Sequence, residues 1–148
     1  MAAPVTHFEV MAKDGKRAQE FYGNLFGWKF NIVEGGYGMV DTGVKMGING
    51  GIGQVTENVA PHTMFYVQVE DVQSHLDKAV SLGGKVVMPL TEIPNMVTYA
   101  QFADPDGNVI ALVKGPQSLP NTAKKRKATP RKRTSPKPKR KAARGRRK

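Results

Sequence analysis

The sequence predicts an α+β fold: two paired βαβββ modules, followed by a basic segment with no core of its own. Three observations carry this reading. A stretch of the first half recurs without gaps 57 residues later. Both copies carry the same helix-start and helix-stop residues at matching positions. The charge balance then changes sign abruptly near residue 123.

The repeat sets "THFEVMAKDGKRAQEFYGNLFGWKF" (6–30) over "TMFYVQVEDVQSHLDKAVSLGGKVV" (63–87). Thr6, Phe8, Val10, Asp14, Leu25 and Gly27 meet Thr63, Phe65, Val67, Asp71, Leu82 and Gly84. The identities are few, but each falls on a residue with one structural job. Phe8 and Val10 alternate with His7 and Glu9, a period of two that predicts a strand, and Phe65, Val67 and Val69 repeat it. Asp14 and Asp71 stand where a carboxylate accepts the free N–H groups of a helix's first turn. Behind Asp14, Ala18, Phe21, Tyr22 and Leu25 recur at helical spacing, as Val72, His75, Leu76 and Ala79 do behind Asp71. Gly27 and the pair Gly83–Gly84 end the helices, because glycine takes the left-handed conformation there without a Cβ penalty.

Three strand-like runs follow each helix. They are 28–34, 37–43 and 47–53 in the first half, and 85–90, 97–103 and 108–114 in the second. "DPDGN" (104–108) predicts a tight turn between the last two, with Pro fixing φ and Gly supplying φ > 0. A four-stranded sheet with one apolar face cannot bury that face alone, so the two halves must pair. The glycines of "GINGGIG" (47–53) match no phosphate-loop spacing and precede no helix, so they read as close backbone packing in a strand.

Residues 1–115 form the predicted domain and 116–148 a linker and tail. Residues 1–123 hold 8 Lys/Arg against 12 Asp/Glu; residues 124–148 hold 15 Lys/Arg and no acid. The net charge of +11 therefore hides a mildly acidic body and a strongly basic end. The chain has no cysteine, which excludes disulfides, thiolate metal sites and cysteine nucleophiles. The first residues lack the charge and apolar run of a signal peptide. No stretch approaches the roughly 18 apolar residues of a membrane-spanning helix. A soluble intracellular protein is expected.

On "THFEV", "RAQEFYGNLFGWKF", "VEDV", "LGGKVV" and "DPDGNVIALV", residues 4–115 resemble the vicinal oxygen chelate superfamily, which holds the glyoxalase I, bleomycin-resistance and extradiol dioxygenase proteins. The resemblance implies modules whose sheets wrap round a central cup, and a homodimer. In metal-using members the cup floor carries four ligands, from the first and last strand of each module. Placed on this chain, those positions fall on His7, on Met64, on Ala111 where a glutamate is usual, and on Asn49 or Gly50. His7 alone among these matches. A Zn, Ni, Mn or Fe site needs about three N/O ligands from the protein, so the resemblance implies an incomplete metal site. His62 shares the strand face of Met64, displaced by roughly 7 Å.

The candidate pocket residues are His7, Glu9, Met64, Tyr66, Tyr99, Gln101 and Ala111. His7 reads as a metal ligand if a site exists, or as a cup-lining histidine held by a neighbour. Glu9 shares its strand face, and a His–Glu pair could exchange protons or simply form a contact. Met64, Tyr66, Tyr99 and Gln101 alternate with core positions and either line the cup or pack the sheet. His75, on the helix stripe, reads as a histidine at the edge of the core.

The tail, "KKRKATPRKRTSPKPKRKAARGRRK", lacks aromatics and any aliphatic side chain larger than alanine. Such a segment cannot offset its ordering entropy, and disorder is expected. Its charges are Lys124, Lys125, Arg126, Lys127, Arg131, Lys132, Arg133, Lys137, Lys139, Arg140, Lys141, Arg144, Arg146, Arg147 and Lys148. A segment of one sign needs a polyanion, and DNA is the expected partner, through counterion release. "TPRK" and "SPKP" resemble linker-histone tail elements. "RGRRK" resembles an AT-hook core, which lies in narrow A·T minor grooves, but without the proline that normally completes it. A nuclear-import signal is the competing reading. A membrane anchor lacks an amphipathic helix or lipidation signal. Nucleoid or nucleus is the expected location.

Two functions stay open: a binding, architectural or regulatory protein tethered to DNA, taking a small-molecule or protein ligand, or a metal-dependent glyoxalase-type lyase or dioxygenase localised by its tail.

Overall fold

A computed structural model describes residues 2–114. Its elements run β1 (Val5–Ala12), α1 (Gly15–Phe26), β2 (Lys29–Ile32), a 3-10 turn (Glu34–Gly36), β3 (Gly38–Asp41), β4 (Gly50–Gln54), β5 (His62–Gln68), α2 (Val72–Ser81), β6 (Lys85–Ile93), β7 (Val97–Ala103) and β8 (Val109–Lys114). This is strand, helix and three strands, twice over. All eight strands form one curled sheet in the order β2-β3-β4-β1-β5-β8-β7-β6.

In each module the first strand runs parallel to the last, β1 with β4 and β5 with β8. The modules join where β1 and β5 pair antiparallel, with Phe8 opposite Phe65. These two residues are equivalent in the repeat. The pairing is therefore pseudo-symmetric: His7 faces Tyr66, and Glu9 faces Met64.

The capping chemistry is as the sequence predicts. Asp14 and Asp71 accept the backbone N–H groups of Arg17 and Ser74, each at 2.9 Å. Gly27 at φ 71° closes α1, while α2 ends at Leu82 with Gly83 beyond it at φ 96°. Asp104 organises the 104–108 turn, accepting the N–H groups of Asp106 and Asn108.

The helices dock on one face of the sheet, α1 over β1, β2 and β4 and α2 over β6, β7 and β8. The two interfaces differ in kind. Module two has an aliphatic core of Val69, Val72, Leu76, Ala100 and Leu112, with Val67 and Phe102 at its margin. Module one combines close backbone approach with an aromatic cluster in which Phe8, Tyr22 and Phe26 gather round Trp28. The expected stripe on α1 is split: Ala18 and Tyr22 are half-buried, but Phe21 and Leu25 are exposed. The face that docks is Gly15 and Gln19. A Cβ on Gly15 would lie 3.2 Å from the Gln54 nitrogen, so the helix sits tight on β4. The Gln19 amide donates to the carbonyls of Gly36 and Ile52, each at 2.9 Å, tying helix to sheet. His75 is exposed, not at the core edge: its Nδ1 reaches back 2.8 Å to the Asp71 carbonyl within the first turn of α2.

Among the described residues, no helix is long and apolar enough to cross a membrane.

Candidate functional site

The sheet face without helices carries the predicted pocket residues. Strand pairing sets them in rows. One row runs Met39, Gly51, Glu9, Met64; the next runs His7, Tyr66, Ala111, Gln101, Met88. Tyr99 stands one step further along, opposite Val113. The period of two thus places His7, Glu9, Met64, Tyr66, Tyr99, Gln101 and Ala111 on one face.

The polar members form two contacts across strands. The Tyr66 hydroxyl donates to Glu9 Oε2 at 2.7 Å. His7 Nε2 and the Tyr37 hydroxyl are hydrogen-bonded at 3.1 Å, with the proton placed by the imidazole tautomer. His7 and Glu9 therefore make their contacts with tyrosines and not with each other. The His7 ring also meets Tyr66 edge-on, with centroids 5.3 Å apart. Glu9 is only 9 % exposed, whereas His7, Tyr37, Tyr66, Tyr99 and Gln101 are half-buried.

Burial sets the electrostatics. It holds His7 below the ordinary imidazole value. It raises both Tyr37 and Tyr66, and the Glu9 carboxylate beside them raises them further, because a second negative charge there is repelled. Neither phenol ionises near neutrality; each acts as a hydroxyl. For His7 the sign runs against acid. The folded chain disfavours the imidazolium, so the unfolded chain binds the proton more readily and stability falls as pH drops through the usual value of 6.5. A His7→Gln variant lacks that component. The stability difference between parent and variant is expected to shrink from about pH 7.5 to about pH 5.5 in denaturant titrations. A constant difference would mean that His7 is not held neutral.

Tyr37 is the residue that sequence reading missed. It falls at the start of a strand-like run and precedes β3. Its ring lies across the glycines of β4: a Cβ on Gly51 would fall inside the Tyr37 hydroxyl, and one on Gly53 would meet the ring at 2.7 Å. The available signal was the Gly51–Gly53 spacing, two small residues on one strand face, which implies a large neighbour above them. Gly50 serves the opposite face, where Phe8 packs against it. The expected close packing along "GINGGIG" is thus specific to Phe8 and Tyr37.

The strand registers also assign the fourth family position. Ala111 stands opposite Tyr66, and Tyr66 is the repeat partner of Glu9. Glu9 stands opposite Gly51. Gly51, not Asn49 or Gly50, is therefore the counterpart of Ala111. Asn49 is exposed and its side-chain oxygen accepts from the Thr42 hydroxyl at 3.1 Å. His62 lies opposite Met11, exposed, with Nδ1 on the Ala60 carbonyl, and does not join the floor. Four positions hold His7, Met64, Gly51 and Ala111. Among the described residues no group of three or more His, Cys, Asp or Glu could hold a metal ion. One imidazole beside one carboxylate does not fit the three N/O donors that a Zn, Ni, Mn or Fe site needs. The floor's own chemistry is hydrogen bonding around a carboxylate.

Residues 5–112 match the family model described as Glyoxalase/Bleomycin resistance protein/Dioxygenase superfamily. The chain belongs to this superfamily. The "Putative glyoxylase CFP32" proteins of Mycobacterium bovis and Mycobacterium tuberculosis are 30% identical to it over 114 residues, covering 70% of this chain and 42% of theirs. This chain thus spans less than half the length of those relatives. A "Glyoxylase-like domain-containing protein" of Didymella fabae is 27% identical over 120 residues, covering 76% of this chain and 94% of that one. Among solved structures, methylmalonyl-CoA epimerase from Mycobacterium tuberculosis superposes with a TM-score of 0.57 at 15% identity, covering 75% of this chain and 87% of the other. A superfamily member from Vibrio splendidus gives 0.54 at 15% identity, covering 77% and 99%. At such identities the superpositions establish the superfamily fold. The basic residues from Lys124 to Lys148 lie outside the described residues.

Proposed function

We propose that this superfamily member is a binding protein: its cup takes a small ligand without a metal, and its basic tail holds it on DNA. One observation supports the first half above the others. Gly51, Ala111 and Met64 stand at three of the four ligand positions, and the Tyr37 ring lies over the first of them. A side chain able to ligate at Gly51 would have no room. The second half rests on sequence: 15 Lys/Arg without an acid in residues 124–148. A homodimer would place two such tails on one duplex and raise avidity through effective concentration.

The test is calorimetric titration of the full chain with Ni²⁺, Zn²⁺, Mn²⁺ and Fe²⁺, beside a His7→Ala control. No stoichiometric binding of micromolar strength is expected in either. Tight binding that the control loses would replace this reading with the second one, a metal-dependent glyoxalase-type lyase or dioxygenase. That reading is favoured by His7 and by the glyoxylase names of the mycobacterial relatives. Glyoxalase and catechol-type substrates would then be the next assay.

A further inference from the structure

We propose that the Glu9 carboxylate is the anchor of a subsite for a protonated primary amine. The inference rests on the metal-free reading of the cup and names the class of ligand it takes. The floor's charges are one-sided. Its two rows, Met39–Gly51–Glu9–Met64 and His7–Tyr66–Ala111–Gln101–Met88, contain one carboxylate and no lysine or arginine. Tyr99 and Val113 in the next row add no cation. Glu9 is 9 % exposed. A buried carboxylate is costly unless a cation or several donors meet it. Two phenols and no cation meet it here: the Tyr66 hydroxyl donates to Oε2, and the Tyr37 hydroxyl stands within hydrogen-bonding reach of the same carboxylate.

The groups round it are arranged to accept. Glu9 offers Oε1 and the remaining lone pairs of Oε2. Tyr66 donates its proton to Glu9, so its oxygen is left as an acceptor. Tyr37, hydrogen-bonded to His7, brings a second phenol oxygen to the same side. An ammonium head carries three donors and no acceptor, which matches a carboxylate flanked by two phenol oxygens. A carboxylate or phosphate ligand would meet repulsion from Glu9 and find no arginine or lysine in these rows. A neutral alcohol would gain one hydrogen bond and leave the charge unpaired. The bordering side chains are half-buried, so the head enters from the helix-free face. Met39, half-buried on the same face two strands from Glu9, offers flexible apolar surface suited to an alkyl stem.

The probe is n-butylammonium, titrated into the full chain by calorimetry and by chemical-shift perturbation near neutral pH, with n-butanol and butyrate alongside. Saturable binding of the amine alone is expected. Glu9→Gln keeps the shape and removes the charge, and it should weaken the amine about ten- to a hundredfold, the loss of one charge-assisted contact. Should that variant not fold, Tyr66→Phe decides the matter: it removes one phenol acceptor and leaves the charge, so amine affinity falls a few fold while the preference over butanol and butyrate is kept. No saturable amine binding, equal binding in Glu9→Gln, or preference for butanol or butyrate would overturn the proposal. The same titration with Zn²⁺ and Ni²⁺ separates the two levels. Tight metal binding lost in both His7→Ala and Glu9→Gln would sink this inference and the metal-free reading together. Absence of both metal and amine binding would sink the inference alone.

Discussion

A Gly51→Val variant is expected to lose about 3 kcal/mol of stability, the upper part of the usual range for overpacking a closely packed site. For a domain of this size that lowers the melting temperature by roughly 10 °C or more. The cause is local. Gly51 is buried in β4 between β1 and β3, and any Cβ there falls inside the Tyr37 hydroxyl. Tyr37 would have to swing away, breaking its hydrogen bond to His7 and uncovering the floor. The two residues should therefore be strongly non-additive. Truncating Tyr37 to alanine has its own cost, but once the ring is gone, valine at position 51 adds little. A coupling of about 1–3 kcal/mol is expected between the two changes, read by denaturant unfolding of the four chains of the cycle. Gly50→Ala is the contrast. Its Cβ would strike the Phe8 carbonyl oxygen as well as the Phe8 ring. Trimming Phe8 cannot relieve a clash with its own backbone. Additive losses at positions 37 and 51 would mean that Tyr37 does not rest on β4, and the account of the displaced ligand position would fall with it.

That pair also marks where sequence reading stops. The strands, caps and turns were legible because each is a local event with a local signature. Asp14 and Asp71 cap N–H groups only three residues along the chain, and Gly27 and Gly83 stop helices by their own φ. The repeat made pairing of the two modules expected; that β1 and β5 join them, with Phe8 opposite Phe65, came from the structure. That His7, Glu9, Tyr66, Tyr99 and Gln101 share a sheet face followed from the period of two, and the places of Met64 and Ala111 from the family resemblance; Tyr37 and Gly51 were not foreseen. The wiring of the floor was not legible. Whether Glu9 meets His7 or Tyr66 depends on side chains crossing between strands that are 57 positions apart in sequence. The fourth family position was missed by one or two residues because the loop between β3 and β4 has no periodic signal to fix its register. The stripe on α1 misled for another reason. Its spacing is helical, but the docking face is set by the glycines of β4 and the hydrogen bonds of Gln19, leaving Phe21 58 % and Leu25 57 % exposed. Small residues and a buried amide decided the interface, and hydrophobic periodicity does not register either.

The largest effect is expected from the tail. On a DNA duplex, the full chain should show log affinity falling with log salt at about −0.9 per phosphate neutralised. If roughly half of the 15 basic residues of 124–148 engage, the slope is about −6, and affinity drops about a thousandfold or more between 50 and 200 mM salt. A chain ending at Ala123 keeps 8 Lys/Arg against 12 Asp/Glu. It should show no measurable binding at the same salt, since its net charge repels the duplex. Binding at low salt alone says little, because any segment of this charge holds DNA there; the slope and the loss on truncation carry the claim. Replacing Thr129, Thr134 and Ser135 by glutamate cancels three charges and should flatten the slope by roughly three contacts' worth, as phosphorylation would. A scrambled tail of the same composition decides how DNA is read. Equal affinity means charge alone acts. A loss confined to A·T-rich duplexes would assign minor-groove recognition to "RGRRK", where a narrow, negative groove favours inserted arginine. If the truncated chain bound as well as the full one, the tether would lie in the folded domain and the division of labour between cup and tail would be wrong.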